Sequence, residues 1–347
     1  MSALAVTQED VARRAGVARK TVSNVISDYP HVSDRIRKKV LAAIEELGYQ
    51  PNRAAQNLRS GRSGMIGLAV PELDVSYFAE LTRLVVQATE RRGFTVLIIQ
   101  TFGDLTREHA SLNGFGHQRL IDGLICSPIA SSGEDILNRG GGFPVVLLGE
   151  QVSVAPDHAG IDHVGIDNVA AARTATEHLL SLPRKRVAFV GASRSTDSHM
   201  ADLRLAGYRQ ALAAAGVPLR PELVFSVNGY HRRDGAEAGR RILALPPEER
   251  PDGVFCANDL LAQGLMRALH DTGYRIPHDV AVVGFDDIDE ATYSIPSLTS
   301  VSPDKAQIAE TAVALLLDRV NGSDEADHDT VTDFSLVVRE STAGPRR

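Results

Sequence analysis

The sequence predicts an α/β protein with a small all-helical head and a long body that contains two doubly wound, mainly parallel sheets. From residue 65 onward, short apolar runs alternate with amphipathic helical stretches. Runs rich in β-branched residues are typical of strands buried on both faces, which occur in parallel sheets with helical crossovers. The body of about 285 residues is also too long for one ordinary doubly wound sheet, so two are expected.

The head begins with two short helices separated by a tight turn. Thr7 is expected to cap the first helix, and Asp10 at the third helical position completes a capping box. Gly16 ends this helix because glycine tolerates a positive φ angle. The second helix, from about Ala18 to Ile26, turns its apolar residues inward. Its outward side chains are short, polar or basic, and they are Arg19, Lys20, Thr21, Ser23 and Asn24.

This outward face is suited to the major groove of DNA, which offers hydrogen-bonding base edges beside phosphates. Residues 1–62 contain 11 Lys and Arg against 6 Asp and Glu, a net charge of +5, whereas the whole chain has a net charge of −7. A basic head on an acidic body is expected to bring only the head to a polyanion. An ordinary two-helix corner with a solvated face is the alternative interpretation.

A third helix is predicted over 34–47, with Ser33 as its cap and Gly48 as its end. The segment that follows contains helix-forming residues but only about two turns, which is too few for a stable isolated helix in water. We therefore expect this segment to become ordered on binding.

These segments resemble the lac repressor (LacI/GalR) family of bacterial transcription regulators, through TQEDVARRAGVARKTVSNVIS, HVSDRIRKKVLAAIEELGY and PNRAAQNLRSG. The resemblance implies that the second helix enters the major groove. It also implies that the hinge helices of a dimer pair in the minor groove, where Leu58 would wedge into the central base step. The simpler alternative for Leu58 is an apolar anchor of a linker. The DNA-contacting residues expected from the resemblance are Thr7, Arg19, Lys20, Thr21, Ser23, Asn24, His31, Asn52, Ala55 and Leu58.

Two positions depart from the family pattern. Ala18 stands where the family usually has a helix-capping Ser, and Asn24 stands where many members have a base-reading Arg. Asn pairs geometrically with adenine and Arg with guanine, so the operator sequence does not carry over from other members.

The elements of the body follow from the alternation described above. Seven apolar runs are predicted as strands, at 65–70, 95–99, 123–126, 145–148, 186–190, 253–256 and 279–283. The stretches between them are predicted as helices, among them 78–92, 168–181, 201–215, 231–244 and 258–272.

The resemblance implies that the body has two lobes like those of periplasmic sugar-binding proteins, joined by three crossing segments. The crossings are expected near 163–167, 294–301 and 324–330. A helix at about 303–321 would then return to the first lobe, and a strand at 335–339 to the second. The expected organisation is a helix-turn-helix head over 1–50, a hinge over 51–63, and a body over 64–347, with lobe 1 at about 64–163 and 299–326 and lobe 2 at about 164–297 and 328–347.

Candidate ligand contacts follow the apolar runs, because open α/β sheets bind ligands beyond the carboxyl ends of their strands. Tyr77 and Phe78 follow the first run, and their rings could stack on a sugar or a base or simply pack in the core. The resemblance implies that Arg204, in the motif RLAGY, hydrogen-bonds the effector through its rigid fork of donors. A surface salt bridge is the alternative for Arg204.

The resemblance adds further contacts. Asn258 would bind sugar hydroxyls through both donor and acceptor, while its neighbour Asp259 would cap the helix. Asp286 would accept from effector hydroxyls or ring nitrogens, and Asp167 would either contact the ligand or cap the helix at 168–181. With Tyr230 as a plausible stacking ring, the expected effector-binding set is Tyr77, Phe78, Asp167, Arg204, Tyr230, Asn258 and Asp286.

Nothing in the sequence predicts catalysis, a cofactor or a metal site. Asp286 and Asp287 are adjacent, but successive residues that leave a strand point to opposite sides and are poorly placed to flank one bond. The 11 histidines show no zinc spacing, and no nucleophile elbow or phosphate loop occurs. The protein is therefore not expected to be an enzyme.

Other features predict a cytoplasmic protein. Cys126 and Cys256 end buried-looking strands, as expected of reduced core thiols, and no signal peptide or apolar run of membrane-spanning length is seen. The chain ends at Ser341-Thr-Ala-Gly-Pro-Arg-Arg347 without the leucine heptad tail of tetrameric family members, so a homodimer is expected.

The predicted function is a DNA-binding transcriptional regulator, specifically a repressor, that binds a near-palindromic operator under allosteric control by a small molecule. A mono- or disaccharide is the expected effector. A nucleoside or nucleobase, a partner protein, and a transport-type sugar-binding function are the alternatives. The resemblance does not distinguish an inducer from a corepressor.

Overall fold

The computed structural model describes residues 6–26, 29–49, 62–114, 120–140, 142–149, 161–193 and 199–344. The chain divides into two compact units between Ser63 and Gly64. The predicted hinge contacts Asn52, Ala55 and Leu58 lie outside the described residues.

Among its described residues the head contains three helices, α1 (Gln8–Ala15), α2 (Arg19–Ile26) and α3 (Asp34–Leu47). The predicted capping box of α1 is confirmed, because the Asp10 amide donates to Thr7 Oγ1 at 3.3 Å and the Thr7 amide donates to Asp10 Oδ2 at 2.9 Å. Gly16 and Gly48 end α1 and α3 with φ angles of 68° and 59°. Ser33 is the N-cap residue of α3, as predicted, but its side chain makes no capping hydrogen bond. The first turn of α3 is closed by the backbone, because the carbonyl oxygen of Ser33 accepts from the amides of Ile36 and Arg37.

The three helices of the head enclose a small apolar core. Its buried members come from all three helices and the residue after Gly48, and they are Val11, Ala12, Val22, Val25, Val40, Ala43 and Tyr49. Val22 and Val25 turn one side of α2 into this core, whereas Arg19 and Lys20 of the same helix are exposed.

The described part of the body is built on two six-stranded sheets, which define its two lobes. The strands are β1 (Met65–Val70), β2 (Thr95–Gln100), β3 (Gly123–Cys126), β4 (Val145–Leu148), β5 (Ile161–Ile166), β6 (Val187–Ser193), β7 (Val224–Val227), β8 (Gly253–Cys256), β9 (Ala281–Phe285), β10 (Thr299–Pro303), β11 (Asp329–Thr332) and β12 (Phe334–Val337). The sheet of lobe 1 has the order β11-β5-β4-β3-β1-β2, with every pair parallel. The sheet of lobe 2 has the order β12-β10-β9-β8-β6-β7, in which only β10 and β12 are antiparallel.

Helices cover the two sheets, as expected for strands buried on both faces. The helices of lobe 1 are α4 (Ser76–Glu90), α5 (Leu105–Leu112), α6 (Gly133–Leu137) and α12 (Lys305–Val320). Those of lobe 2 are α7 (Asn168–Ser181), α8 (His199–Ala214), α9 (Arg232–Ala244), α10 (Asp259–His270), α11 (Asp289–Tyr293) and α13 (Glu340–Ala343). Helix α12 packs on α4 and on β3, β4 and β5, which confirms its predicted return to the first lobe. No described helix is both long enough and apolar enough to span a bilayer.

The chain crosses between the lobes three times. The first crossing lies within the expected range 163–167, and the other two differ from the expected ones. The chain crosses at Asp167, at Asp304 and at Asp333, so the expected crossings near 294–301 and 324–330 are wrong. Strand pairing is the reason: Thr299 pairs with Val283 in lobe 2, which extends β10 past the expected crossing. Similarly β11 pairs with β5 in lobe 1, so lobe 1 comprises 64–166 and 305–332, and lobe 2 comprises 168–303 and 334–344.

Candidate functional site

A cavity of about 300 Å³ lies between the two lobes of the body, at the carboxyl ends of the parallel strands. This volume is at the lower end of the range of small-molecule sites, roughly 300–1,000 Å³, and therefore suits a small ligand. Six of the seven predicted effector contacts line the cavity, and they are Tyr77, Phe78, Arg204, Tyr230, Asn258 and Asp286.

The two walls of the cavity differ in polarity. Lobe 2 contributes most of the polar side chains, which are Asn168, Arg204, Tyr230, His231, Asn258 and Asp286. Lobe 1 contributes a mainly apolar wall that includes Val75, Phe78, Leu81, Ile129, Leu148 and Ile308. A ligand that matches this cavity has one hydrogen-bonding edge and one apolar face.

Arg204 is the central polar residue of the cavity. Its side chain is buried, which excludes the alternative of a surface salt bridge. Nε donates to Asn168 Oδ1 at 2.9 Å, and one terminal nitrogen donates to the carbonyl oxygen of Ala257 and lies 3.8 Å from Asp286 Oδ1. The guanidinium carbon also lies 3.5 Å from the centroid of the Phe285 ring. These contacts fix the orientation of the guanidinium before any ligand binds.

Asp286 and Asp287 face different surroundings, as the sequence predicts. Asp286 lines the cavity, whereas Asp287 Oδ1 lies 2.7 Å from a terminal nitrogen of Arg339 and is not part of the lining. Both residues have positive φ angles, 104° and 47°, which are unusual for residues other than glycine. The two carboxylates are therefore separated by the backbone conformation of this loop.

The predicted cap of α10, Asp259, is wrong, whereas Asn258 lines the cavity. Asn258, in extended conformation, is the cap: its Oδ1 accepts from the Leu261 amide at 2.9 Å and its Nδ2 donates to the carbonyl of Tyr230 at 2.9 Å. Asp259 is already inside the helix and fully buried, and its oxygens accept from Ser300 Oγ at 2.6 Å and the Ile288 amide at 3.0 Å. Asn258 thus has part of its hydrogen-bonding capacity committed to the protein.

Burial, and next the neighbouring carboxylate of Asp286, raise the pKa of Asp259 well above its ordinary value. A carboxyl group whose pKa is raised on folding stabilises the protein below its unfolded pKa, and this contribution is lost as pH rises through the folded pKa. In Asp259→Asn the side-chain amide can accept from the Ile288 amide and donate to Ser300 Oγ, and it carries no charge. We therefore expect the stability of Asp259→Asn relative to the parent to increase as pH rises above about 4. Urea unfolding between pH 4 and 8 measures this difference, and a difference independent of pH would contradict it.

Asp167 is the predicted effector contact that the cavity does not include. It is exposed, and its Oδ1 accepts from the Ala170 amide at 2.8 Å as the cap of α7. Of its two predicted roles, Asp167 therefore has the helix cap and not the ligand contact. We remove Asp167 from the candidate ligand contacts.

The three predicted rings all border the cavity. Tyr77 and Phe78 meet edge to face with centroids 5.3 Å apart, and both also pack against the core of lobe 1. Tyr230 comes from lobe 2, on the loop before α9. Rings from both lobes can therefore contact a bound molecule.

Sequence reasoning missed a polar pair at the cavity. Glu72 of lobe 1 and His231 of lobe 2 both line it, with Oε2 and Nε2 2.8 Å apart. Close by, Ser76 Oγ donates to Glu290 Oε1 at 2.6 Å, again between the lobes. Glu72 follows the first strand, and that position alone could have marked it as a candidate cavity residue. Its partner His231 lies too far along the chain to be predicted from a local pattern.

Glu108 is a second residue that the sequence did not reveal. Its carboxylate is fully buried and accepts from the amides of Ile129, Ala130 and Ser131 and from Ser131 Oγ, at 2.6–3.2 Å. These bonds hold the loop after β3, which contributes Ile129 and Ser131 to the cavity. A lone Glu in a polar helix carries no sequence signal for such a role.

The head places its predicted DNA contacts as follows. Arg19 and Lys20 on α2 are exposed, whereas Thr21, Ser23 and Asn24 are half-buried. His31 is exposed, and its ring lies edge to face with that of Tyr29, with centroids 5.3 Å apart; Thr7 is held in its capping box.

The described residues were also compared with what a reactive thiol or a metal site requires. Cys126 and Cys256 are buried free thiols, and burial raises the pKa of both. Within the described ranges no three His, Cys, Asp or Glu residues come close enough to hold a metal ion.

Comparison with known proteins matches both units of the chain. Residues 7–52 match the family model for bacterial regulatory proteins of the lacI family, and residues 176–342 match a periplasmic binding protein-like domain. The transcriptional repressor PurR of Mannheimia succiniciproducens is 31% identical over 337 residues, which cover 96% of this chain and 98% of that protein. The ribose operon repressor of Escherichia coli K12 is 32% identical over 316 residues, which cover 90% and 93%.

Among solved structures, the chain is similar to the lac repressor dimer bound to operator and the anti-inducer ONPF. The TM-score is 0.80 and the identity 27%, and the match covers 98% of this chain and 100% of the other.

Proposed function

The chain belongs to the lacI family of bacterial regulatory proteins, and we propose that its head reads an operator while the cavity of its body holds a sugar effector. As a member of this family it is a DNA-binding transcriptional repressor under the control of a small molecule, and it is not an enzyme. The observation that carries the proposal is the cavity between the lobes, where a fixed guanidinium and a carboxylate stand opposite an apolar wall. Because it acts on DNA in a bacterial cell, we place it in the cytoplasm.

The head reads DNA as part of a homodimer. One short helix covers too few bases for specificity, so two copies of α2 in adjacent major grooves of a near-palindromic site are needed. The lac repressor structure, which is itself a dimer on its operator, supports this arrangement. The predicted contacts to bases and phosphates are Arg19, Lys20, Thr21, Ser23 and Asn24, with the hinge residues Asn52, Ala55 and Leu58 in the minor groove.

Asn24→Ala is expected to relax the preference for one base pair in each half-site. The expected loss against the best operator is about 1–3 kcal/mol, because an Asn side chain can make two hydrogen bonds to adenine in the major groove. Selection on randomised sites measures this preference. Lys39→Ala, an exposed basic residue of α3 outside the predicted contacts, is the control and should affect all sites alike. An unaltered preference in Asn24→Ala would rule out base reading by this residue.

The polar wall of lobe 2 supports a mono- or disaccharide as the effector. Arg204 offers forked donors, Asp286 an anionic acceptor and Asn258 an amide, a combination that suits hydroxyls, which both donate and accept. Rings from Tyr77, Phe78 or Tyr230 can cover the apolar face of a sugar. The apolar wall of lobe 1 favours a second candidate, a nucleobase or nucleoside, whose flat apolar face would lie against it.

A thermal-shift panel separates these classes without knowledge of the operator. Suitable compounds are D-ribose, D-glucose, maltose, adenosine, adenine and guanine. A compound that binds only the folded state should stabilise it by about 2.7 kcal/mol at a hundredfold excess over its dissociation constant. Stabilisation by a purine and by no sugar would replace the sugar assignment with the second candidate. A panel without any response would favour a partner protein as the effector.

Asp286→Ala is expected to abolish the thermal shift that an active compound gives to the parent protein. The reason is the loss of the anionic acceptor in the cavity, while the head, a separate compact unit, should bind DNA as before. Asp287→Ala is the matched control, because it carries the same backbone strain but its carboxylate faces Arg339. Equal losses in both variants would show that the loop conformation, not the carboxylate, is responsible.

Effector binding is proposed to act on DNA affinity through closure of the two lobes. A ligand shifts an equilibrium only by its differential affinity for two states, and the coupling is reciprocal. Operator DNA must therefore change the affinity for an active compound by the same factor as the compound changes operator affinity. Titrations that leave operator affinity unchanged at saturation would exclude this mechanism.

A further inference from the structure

Two charged side chains outside the cavity, Lys305 and Glu80, meet at the loop that carries Asp286. Lys305 is the first residue of α12 and Glu80 lies in α4, so both belong to lobe 1. Lys305 Nζ lies 2.6 Å from Glu80 Oε2. Neither residue is part of the cavity lining, so neither is expected to touch a bound molecule.

This ion pair of lobe 1 binds three backbone groups of lobe 2. Lys305 Nζ donates to the carbonyl oxygens of Asp286 at 2.8 Å and Asp287 at 2.9 Å. Glu80 Oε1 accepts from the amide of Asp289 at 2.9 Å. An ammonium group has three donors and no acceptor, and the three oxygen atoms around Lys305 Nζ match that number.

The loop requires such support because of its backbone conformation. The φ angles of Asp286 and Asp287, 104° and 47°, lie in the region that residues other than glycine occupy only when their surroundings hold them there. The amide of Asp286 donates to the carbonyl of Val301 at 2.9 Å, and Lys305 binds the carbonyl on the other side of the residue. The carboxylate that reaches the cavity therefore projects from a backbone held on both sides.

The ion pair between Lys305 and Glu80 is largely buried, which strengthens the electrostatic attraction between the two side chains. The side chains of Lys305 and Glu80 are only 11% and 22% exposed, so solvent and salt screen their charges weakly. A second set of charges also joins α12 to α4, between Glu310 and the residues Arg91 and Arg92 at the end of α4. That set joins two helices of lobe 1 and is more exposed, which makes it a matched control.

We propose that Lys305 and Glu80 are positioning residues of the effector site. They hold the Asp286 carboxylate toward the cavity without contacting the effector. They also fix the distance between the loop at 286–289 and helix α4, whose first turn carries Tyr77 and Phe78. One ion pair thus sets the relative position of the polar wall and the ring wall. This inference rests on the proposed function of the cavity.

The first test measures the separation of the lobes and needs no ligand. Cysteines introduced at Asp74 of lobe 1 and Arg233 of lobe 2, both exposed, can carry spin labels in the full-length protein, while the native Cys126 and Cys256 are buried. Pulsed electron paramagnetic resonance then gives the distribution of distances between the labels. We expect Lys305→Met and Glu80→Gln each to broaden this distribution and shift it to longer distances.

Glu310→Gln controls for a loss of stability alone. It removes the other ion pairs between α4 and α12. Its melting temperature is compared with those of the two test variants, and its distance distribution should stay like that of the parent. Distributions in Lys305→Met and Glu80→Gln that match the parent would overturn the proposal. A change of equal size in Glu310→Gln would also overturn it, because the effect would then be general loosening.

The charge-swapped double variant, Lys305→Glu with Glu80→Lys, tests the role of the carbonyl contacts. It restores the attraction between the side chains but places a carboxylate against two carbonyl oxygens. We expect no rescue, and recovery of the parent distribution would overturn the claim that Lys305 holds the loop.

The last measurement is titration of the parent and variants with D-ribose, maltose and adenine. For any of these that binds the parent, the dissociation constant should rise at least tenfold in Lys305→Met and stay within twofold in Glu310→Gln. Unchanged binding in Lys305→Met would overturn the positioning role. Distances that change in the test variants while no compound binds the parent would support that role and count against the proposed effector instead.

Discussion

Arg204→Ala is expected to lower the free energy of unfolding by about 3–5 kcal/mol and to abolish effector binding. Removal of one partner of a buried ion pair leaves the other uncompensated, which accounts for a loss of this size. The variant leaves the Asp286 carboxylate without its guanidinium neighbour, and it deprives Asn168 and the carbonyl of Ala257 of their donor. Urea unfolding measures the stability, and thermal shift with the sugar and purine panel measures the binding.

Two control variants separate the effect of burial and the effect of charge from the effect of removing Arg204. Arg173→Ala removes an arginine of α7 whose ion pair with Glu177 is half exposed, and it should cost less than about 1 kcal/mol. Arg204→Lys keeps the charge but loses the planar fork, so we expect it not to restore effector binding. Full thermal shifts in Arg204→Lys would show that only the charge matters, and a small stability loss in Arg204→Ala would contradict the central role of this residue.

Gly264→Ala is expected to destabilise lobe 2 by more than about 3 kcal/mol, beyond the usual cost of overpacking. Gly264 of α10 packs against the backbone of α9, and a Cβ atom there would lie 1.8 Å from the carbonyl oxygen of Arg232. In the reverse direction, a Cβ atom at Gly235 of α9 would lie 2.0 Å from the carbonyl oxygen of Leu261. Because backbone meets backbone at both points, the helices must separate to admit a methyl group.

Gly239→Ala, on the same pair of helices, is the control. Its added Cβ would lie 2.9 Å from the Ala268 Cβ, a smaller overlap than the 1.8 Å at Gly264, so the helices need to move less to admit it. The gain in helix propensity, about 1 kcal/mol, should offset much of that cost. Urea unfolding of both variants checks this order. A Gly264→Ala protein as stable as Gly239→Ala would mean that α9 and α10 pack less closely than the structure describes.

The sequence alone determined the elements whose signals are local. The strands at 65–70, 123–126, 145–148 and 253–256 were predicted with the bounds that the structure has, because each is a short apolar run with a polar residue, a glycine or a proline on at least one side. Thr7, Asp10 and Gly16 likewise marked the ends of α1 through chemistry within one turn. Arg204 and Asp286 were expected at the effector site because their motifs resemble those of the lac repressor family, and both line the cavity.

Only the tertiary structure decided features that depend on residues distant in the chain. The crossings at Asp304 and Asp333 follow from the pairing of β10 with β9 and of β11 with β5, and in the second case the partners are more than 160 residues apart. The predicted cap of α10 was one residue off, because the cap is the residue that is still extended where the chain enters the helix, and that residue is Asn258 and not Asp259. The contacts of Glu72 with His231 and of Glu80 with the loop at 286–289 join the two lobes. No local pattern predicts such contacts, because a charged residue on a helix surface looks the same in sequence whether it meets water or another lobe.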